Sequence, residues 1–301
     1  MELPSGRQFL LRYGEQRAVV TEVGAGLRAY AVGGVEVVEG FAEDEMCSGA
    51  RGQLLLPWPN RVRDGRWEWE GTSLQLPLTE VAKSTAIHGL TRWLTWEVLA
   101  QDTASVRLGC RLPAQPGWPF RLRLQACYVL DDAGLTVCVS AVNEGVTAAP
   151  FAAGAHPYLS AGGGLVDDCT LHLPARTWLS ADDRGIPVEA LPVAGTERDF
   201  LAPRAIRSVV LDEAFTDLVP DEGLVTVALT RPDGTTASLW AGVGYDHLQV
   251  FSGDTLPDER RRRGLAVEPM TAPPNALQSG HGLRVLQPEE AIDLTWGLRL
   301  S

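Results

Sequence analysis

The sequence predicts an all-β protein of the sandwich or barrel type, organised as one domain over residues 1–301. Three observations lead to this prediction. Hydrophobic residues alternate with polar ones along short stretches, which is the two-residue period of a half-buried β-strand. Most of the 31 glycines and 20 prolines fall between these stretches, where turns are expected. No stretch of a dozen residues has the 3.6-residue period of an amphipathic helix.

Two hairpins are the clearest elements. Alternation over residues 121–130 is followed by an Asp-Asp-Ala-Gly turn and resumes over residues 135–141. Residues 224–230 and 235–240 repeat this arrangement around a Pro-Asp-Gly turn. Shorter strands are predicted at residues 18–23, 35–39, 67–69, 105–112, 248–251, 265–267 and 291–300. Many short strands separated by turns are typical of a sandwich or barrel.

The composition limits which binding partners and which cellular compartment we expect. With 26 basic and 38 acidic side chains the formal charge is −12, so nucleic acid and anionic lipid are poor partners. The five cysteines are widely spaced, which indicates buried thiols rather than a disulfide framework or a zinc site. Neither a signal peptide nor an apolar run of about 18 residues is present. We therefore expect a soluble, cytoplasmic protein.

The first candidate functional cluster is the proline- and tryptophan-rich segment at residues 57–67. Asn60 and Arg61 can present donors to a cleft there, and a guanidinium suits hydroxyl or ring oxygens because its forked donors are fixed and it does not deprotonate. Taken alone, the segment predicts only a turn before the strand at residues 67–69.

Two histidines lie among rigid or apolar neighbours. His88 stands between Ile87 and Gly89, and His156 is followed by a proline and Tyr158. A histidine in such a setting is often a satisfied core residue, so both interpretations stay open. Tyr158 can stack or form a hydrogen bond.

Two acidic candidates and one basic run complete the set. Asp212 belongs to residues 211–218, which alone predict a charged loop. Glu268 follows the hydrophobic run 265–267 and precedes a proline, and burial would raise its pKa towards that of a working general base. A functional role is therefore favoured for Glu268. The arginines at residues 260–263 predict a solvated loop.

Other chemical motifs are missing from the sequence. It contains no GxSxG elbow, no P-loop and no GxGxxG in a strand–helix context. His172, His247 and His281 have no metal-ligand spacing and are assigned to structure or surface. We expect neither a metal nor an organic cofactor.

In their order and spacing, the clusters resemble the aldose 1-epimerase (galactose mutarotase) family, most closely its bacterial branch with the motifs LPWPNR and EPMT-PPN. The resemblance runs from about Leu54 to Asn275. It implies a β-supersandwich, an open cleft for a small sugar, and interconversion of α and β anomers without a cofactor. The chain departs from many members at Leu159 and after Glu268, which bears on sugar preference rather than on the chemistry.

The resemblance implies that Glu268 is the general base and His156 the general acid. Glu268 takes the proton of the anomeric hydroxyl while His156 protonates the ring oxygen, and the opened chain rotates and closes again. We expect the two groups to face each other across a pyranose-sized space, with their pKa values pushed apart. The residues expected to bind the sugar are Arg61, His88, Asp212, Asn60 and Tyr158. Trp58 and Trp93 can stack on the sugar or belong to the core.

Three other functions stay open. One is a sugar-binding or sensing module without turnover. Another is a glycosidase in which Glu268 and Asp212, roughly 5–9.5 Å apart, form the carboxylate pair. The third is an epimerase of a phosphorylated or otherwise substituted hexose, with Arg92 or Arg63 in a cationic pocket. The sequence does not decide between a monomer and a homodimer.

Overall fold

The computed structural model describes residues 3–301 and confirms the all-β prediction. Strands β1 to β13 are Gln8–Tyr13, Gln16–Thr21, Leu27–Val32, Val35–Glu36, Leu54–Leu55, Arg61–Arg63, Arg66–Trp69, Thr72–Gln75, Thr85–Ile87, Glu97–Gln101, Ser105–Leu112, Leu122–Asp131 and Gly134–Asn143. Strands β14 to β27 are Ala149–Phe151, Gly154–Ala155, Tyr158–Ser160, Thr170–His172, Ala175–Ala181, Pro187–Pro192, Arg204–Ala205, Asp212–Leu218, Val225–Thr230, Thr236–Ala241, His247–Phe251, Gly264–Met270, Arg284–Leu286 and Ala291–Leu300. The helical segments are Val81–Lys83 and Val166–Asp168, which are single 3₁₀ turns, and α1 at Ala276–Ser279.

Two large antiparallel sheets form the sandwich. The nine-stranded sheet has the order β10-β11-β12-β13-β27-β23-β22-β17-β20. The eight-stranded sheet has the order β19-β18-β21-β24-β25-β15-β5, and β16 also pairs with β25. Residues of both sheets share one hydrophobic core, for example Leu124 of β12 and Val250 of β24. Since each sheet must bury one face, packing the two faces together forms that core.

The two predicted hairpins are confirmed. They correspond to β12–β13 and β22–β23, and buried residues alternate along β12 as the sequence period predicts. Gly134 closes the first turn with a φ of 112°, a backbone conformation that a side chain would strain. The strands at residues 105–112 and 291–300 have the predicted bounds, whereas β1, β10 and β18 were not anticipated.

A cluster of aromatic side chains decides between the two alternatives for Trp58. Trp58 is buried and its ring lies 5.7 Å from that of Trp118, which in turn stacks on Trp67 at the same centroid distance. Trp58 is therefore a core residue and has no face free for a sugar. Trp93 is 53% exposed and stands beside Arg92.

Two segments predicted as loops have a different structure. Residues 211–218 are almost entirely strand β21, held between β18 and β24, with Phe215 buried and Asp212 on an exposed position. The basic run is only partly solvated. Arg262 is buried and forms ion pairs of 2.8 Å with both Asp167 and Asp254. Local sequence does not reveal these carboxylates, because Asp167 is remote from Arg262 in the chain.

The cysteines were expected to be buried free thiols. All five thiols are free, as predicted, but only Cys110 and Cys169 are buried, and Cys138 is exposed. The prediction that all are buried was therefore wrong.

None of the helices in the described part of the chain is long or hydrophobic enough to cross a lipid bilayer.

Candidate active site

Strand β25 places Glu268 in the centre of the eight-stranded sheet. All seven residues of β25 are buried, and Glu268 is 2% exposed. Its neighbour on one side is Gln249 of β24. On the other side the ladder is interrupted between β15 and β16, so Pro269, which has no N–H to donate, is tolerated within a central strand.

His156 lies in that interruption and faces Glu268. Its Nε2 is 3.2 Å from Oε1 of Glu268, and its side chain is 7% exposed. The backbone N–H of His156 donates to the carbonyl of Gln53 at 3.0 Å, and its carbonyl accepts from the N–H of Gly52 at 2.9 Å. Tyr158 stacks on the imidazole at 5.1 Å and donates its hydroxyl to a backbone carbonyl. Main chain and ring stacking together fix the imidazole.

The 3.2 Å contact corrects the expected pyranose-sized separation of the pair. The anomeric hydroxyl oxygen and the ring oxygen of an aldose are bonded to the same carbon. An acid and a base that each reach one of these oxygens within about 2.6–3.2 Å therefore belong on one edge of the sugar ring, side by side. Adjacent groups suit this chemistry better than groups on opposite sides of the ring.

His88 is the third buried group of the site. Its ring lies 5.3 Å from that of His156, nearly perpendicular to it. The residue has a φ of 63°, and a side chain on Gly89 would collide with the carbonyl of Leu56. The N–H of Asn60 donates to Nδ1 of His88 at 3.2 Å. The neutral ring must then carry its proton on Nε2, so His88 acts there as a donor.

Arg61 is held by an ion pair that the sequence did not predict. Its Nε and Nη2 donate to the two carboxylate oxygens of Glu80 at 2.7 and 2.9 Å. The N–H of Asn275 donates to the carbonyl of Arg61 at 2.7 Å, and its Oδ1 accepts from the N–H of Arg63. The asparagine that ends EPMT-PPN thus anchors the strand that carries the arginine.

Asp212 lies at the exposed side of the site. Its Oδ1 accepts a hydrogen bond of 3.0 Å from Nε2 of Gln249, the buried residue opposite Glu268. The charge of Asp212 also raises the pKa of Glu268, and that of Arg61 lowers it. The structure therefore brings Arg61 and Asp212 to the Glu268–His156 pair, as the resemblance implied.

Asn60 and Tyr158, expected to bind the sugar, are engaged by the protein itself. Oδ1 of Asn60 accepts from the N–H of Arg61 at 2.8 Å, and the residue is 2% exposed. Tyr158 is 1% exposed, with its hydroxyl bonded to Gly49 and its ring against His156. These contacts position the two histidines and leave little of either side chain for a ligand.

Burial dominates the protonation of the pair. Desolvation raises the pKa of Glu268 well above its usual value, and the charge of Asp212 adds to the effect. Desolvation lowers the pKa of His156 to about 3, with further lowering by the positive charges of Arg92, Arg51 and Arg61. The pKa values are pushed apart, but in the order opposite to that of a carboxylate base and an imidazolium acid. These shifts favour one proton on the pair, and burial favours it on the carboxyl group.

Within residues 3–301, two buried atoms of the pair have no hydrogen-bond partner. They are Oε2 of Glu268 and Nδ1 of His156. Leaving a buried polar atom unpaired costs about 1–3 kcal/mol, so such atoms usually mark a place where a ligand or water completes the bonding. The packing of strand β25 against the segment that carries His156 places these two unpaired atoms in the interior, and no local motif predicts this.

The same residues form a geometric cluster of metal-ligand types. Ligand atoms of His88, His156 and Glu268 all lie within 4.8 Å of one another. A metal-bound histidine normally donates its other ring N–H to an acceptor. In His88 the other nitrogen accepts instead, from Asn60, and Nδ1 of His156 has no partner. The donor set fits a sugar hydroxyl better than a metal ion.

Sequence reasoning missed three residues of the site: Glu80, Gln249 and Arg51. Glu80 and Gln249 hold Arg61 and Asp212, and the guanidinium of Arg51 lies 4.8 Å from the centre of the Tyr158 ring. Glu80 and Gln249 had no local signal. Arg51 stands in a glycine-rich stretch just before the motif LPWPNR. The sequence gives no reason to single it out, and only its burial in the structure does so.

The fold and the site together define an antiparallel β-sandwich protein with a buried carboxyl–imidazole pair. The family model for aldose 1-epimerase matches residues 7–299 of the chain. The chain is 34% identical over 286 residues to YihR, an uncharacterized protein of Escherichia coli K12, with 94% of this chain and 90% of that protein covered. The protein therefore belongs to the aldose 1-epimerase family.

Solved structures agree with this assignment. The GalM/aldose epimerase homologue from C. elegans superposes with a TM-score of 0.88 at 17% identity, covering 98% of each chain. Galactose 1-epimerase from Lactobacillus acidophilus NCFM superposes with a TM-score of 0.81 at 22% identity, covering 96% of this chain and 92% of that one. These similarities confirm the predicted fold of the galactose mutarotase type.

Proposed function

We propose that the protein is an aldose 1-epimerase, which interconverts the α and β anomers of an aldose by acid–base opening of the ring. The observation that supports this function best is the contact of 3.2 Å between Nε2 of His156 and Oε1 of Glu268, both buried. The pair can hold one proton and can exchange it with two oxygens on the same sugar carbon.

The reaction needs a base for the anomeric hydroxyl and an acid for the ring oxygen. With the shared proton on His156, Glu268 is the base and His156 the acid, as the family resemblance implies. Burial favours the other form in the empty site, but both forms have the same net charge and differ by one transfer between Oε1 and Nε2. A sugar hydroxyl that donates to Glu268 stabilises its carboxylate and so moves the proton to His156.

After proton transfer the C1–O5 bond breaks, the C1–C2 bond rotates, and closure on the other face returns both protons. Each positioned acid or base contributes roughly 10²–10⁴-fold to the rate. Arg61 and His88 donate to sugar oxygens, and Asp212 accepts from sugar hydroxyls. The chemistry of these side chains requires no oxidation, no phosphoryl transfer and no nucleophilic attack by the protein.

The test is the decay of optical rotation of freshly dissolved α-D-glucose and α-D-galactose, or anomer exchange measured by NMR. The wild-type protein should accelerate the exchange, and Glu268→Gln should lower kcat/KM by roughly 10²–10⁴-fold. Glu68→Gln, at an exposed position of β7, is the matched control and should leave the rate unchanged. Circular dichroism checks that both variants fold.

A sugar-binding module without turnover is the main alternative. It would show saturable sugar binding while leaving the anomerisation rate of every aldose at the uncatalysed value. A glycosidase would release nitrophenol from nitrophenyl sugars, with loss in both Glu268→Gln and Asp212→Asn. Either result would replace the proposed function.

A further inference from the structure

Two of the five cysteines stand directly opposite each other on neighbouring strands. In the antiparallel pairing of β12 with β13, Cys127 is the register partner of Cys138. The hairpin turn between them fixes this register, because Asp131 and Gly134 form the pair next to the turn. Directly opposed residues of an antiparallel ladder project their side chains to the same face of the sheet. The two thiols are therefore neighbours.

The spacing of opposed residues permits a bond between the two sulfur atoms. Directly opposed Cα atoms of an antiparallel ladder are about 4.5 Å or about 5.5 Å apart, depending on whether the pair is hydrogen-bonded. A disulfide spans Cα separations of about 4.4–6.8 Å. Both kinds of pair are thus within reach of a disulfide without a change in strand pairing. In the structure both thiols are free.

The pair lies on the outer face of the nine-stranded sheet. Burial alternates along β12 and β13, and the residues that flank the two cysteines are buried in the core: Ala126, Tyr128, Val137 and Val139. Cys138 is exposed and Cys127 is partly exposed. Strand β25, which carries Glu268, belongs to the other large sheet. A dissolved reagent can therefore reach the exposed thiol without entering the core or the candidate active site.

Polar and charged side chains surround the exposed thiol on the same face. Thr295 of β27 is the second register partner of Cys138, and its hydroxyl donates to Sγ at 3.9 Å. Arg107 of β11 is the second register partner of Cys127. The pKa of Cys138 is raised, chiefly by desolvation and further by the charges of Cys127 and Asp293, while the Thr295 contact and Arg107 lower it. The charge of Cys127 thus acts on Cys138, as expected for two thiols on one face.

The other three cysteines are less accessible. Cys110 faces the core from β11, opposite Leu124, and Cys169 is also buried. Cys47 donates its S–H to the carbonyl of Arg51 at 3.3 Å. Burial raises the pKa of each of these three thiols to about 11, which leaves little thiolate near neutral pH. Oxidation is therefore expected to fall on the opposed pair.

We propose that Cys127 and Cys138 form a redox-active dithiol, which a low-molecular-weight disulfide such as oxidised glutathione converts into an intramolecular disulfide between β12 and β13. The thiolate of the exposed Cys138 attacks one sulfur of the reagent, whose S–S bond breaks and releases one thiolate. The thiolate of Cys127 then attacks Sγ of Cys138 in the mixed disulfide and expels the second thiolate. The two protein thiols lose two protons and two electrons, and the reagent takes up both as two thiol molecules.

The test incubates the full chain with oxidised glutathione at mildly alkaline pH, followed by intact mass, thiol titration after unfolding, and peptide mapping. Free thiols should fall by two from the five of the reduced chain, and the mapping should find one link, between Cys127 and Cys138. Dithiothreitol should restore all five thiols. In Cys127→Ser the reaction should stop at a mixed disulfide of glutathione with Cys138. Cys47→Ser, which removes a cysteine outside the pair, is the control and should form the same link.

Three results on the wild-type protein would overturn the proposal, and none depends on whether the serine variants fold. Glutathione on both Cys127 and Cys138 without a link between them would show that the two sulfurs do not reach each other. A disulfide that includes Cys47, Cys110 or Cys169 would place the reactive thiols elsewhere. Five unmodified thiols after the incubation would show that the pair is not redox-active.

Discussion

Nε2 of His156 lies 3.2 Å from Oε1 of Glu268, and both side chains are almost completely buried. An acid and a base in direct contact behave as one titrating unit with macroscopic pKa values. Their proximity matches the two oxygens of one anomeric carbon. Burial raises the pKa of Glu268 and lowers that of His156, which favours one proton on the carboxyl group of the pair, so the pH dependence of the proposed reaction tests this arrangement.

The rate of anomer exchange should be highest when the Glu268–His156 pair holds one proton. At alkaline pH the pair loses that proton as the pH passes the raised pKa of Glu268, and at acid pH it gains a second one as the pH approaches the His156 pKa of about 3. We therefore expect kcat/KM to be flat between these limits and to fall on the alkaline side. Anomer exchange by NMR, corrected for the uncatalysed rate at each pH, measures this profile. A rate that rises on the alkaline side would contradict the shared-proton model.

Glu80→Gln should weaken sugar binding without touching the acid–base pair. The substitution removes the charge that holds Arg61 through two hydrogen bonds, so the guanidinium loses its fixed orientation. We expect KM to rise by roughly ten-fold, corresponding to about one charge-assisted hydrogen bond, with a much smaller change in kcat. Steady-state exchange kinetics separate the two constants. Glu68→Gln is the control, and an equal loss in kcat with unchanged KM would refute the positioning role.

Arg262→Ala should destabilise the fold. The substitution leaves Asp254 and Asp167 without their partner and removes the partly buried hydrogen bond to the carbonyl of Arg207. A loss of about 1–3 kcal/mol in the free energy of unfolding is expected. Urea unfolding followed by tryptophan fluorescence measures it. Arg261→Ala, at the exposed neighbouring position, should have almost no effect, and equal stability of the two variants would show that the ion pairs contribute nothing.

Stability should fall as the solution becomes acidic, in part through His247. Burial lowers the pKa of His247 to about 4, whereas the unfolded chain binds the proton near 6.5. Between these values the unfolded state holds more protons, so the contribution of this residue is complete above pH 6.5 and is lost as the pH falls towards 4. His247→Gln should flatten the decrease of the melting temperature over this interval. A pH profile of the melting temperature identical to that of the wild-type protein would disprove the role of His247.

Much of the fold was predictable because it depends on local patterns. Alternating residues and turn chemistry located both hairpins and the strands at residues 105–112 and 291–300. The segment 211–218 was misjudged because its acidic residues dominate its local composition. Its strand geometry comes from pairing with β18 and β24, which cover Phe215. Pairing with strands that are distant in the sequence cannot be predicted from a short segment alone.

Some features of the candidate site could also be predicted from the sequence, and others depend on the fold. Glu268, His156, His88 and Arg61 could be singled out from the sequence, because they stand in motifs whose order resembles one family. The fold was needed to show that His156 contacts Glu268, that Glu80 pairs with Arg61, and that Nε of the buried Arg51 has no hydrogen-bond partner among residues 3–301. Residue identity is a property of the chain, whereas burial, pKa and pairing depend on which remote side chains the fold brings into contact.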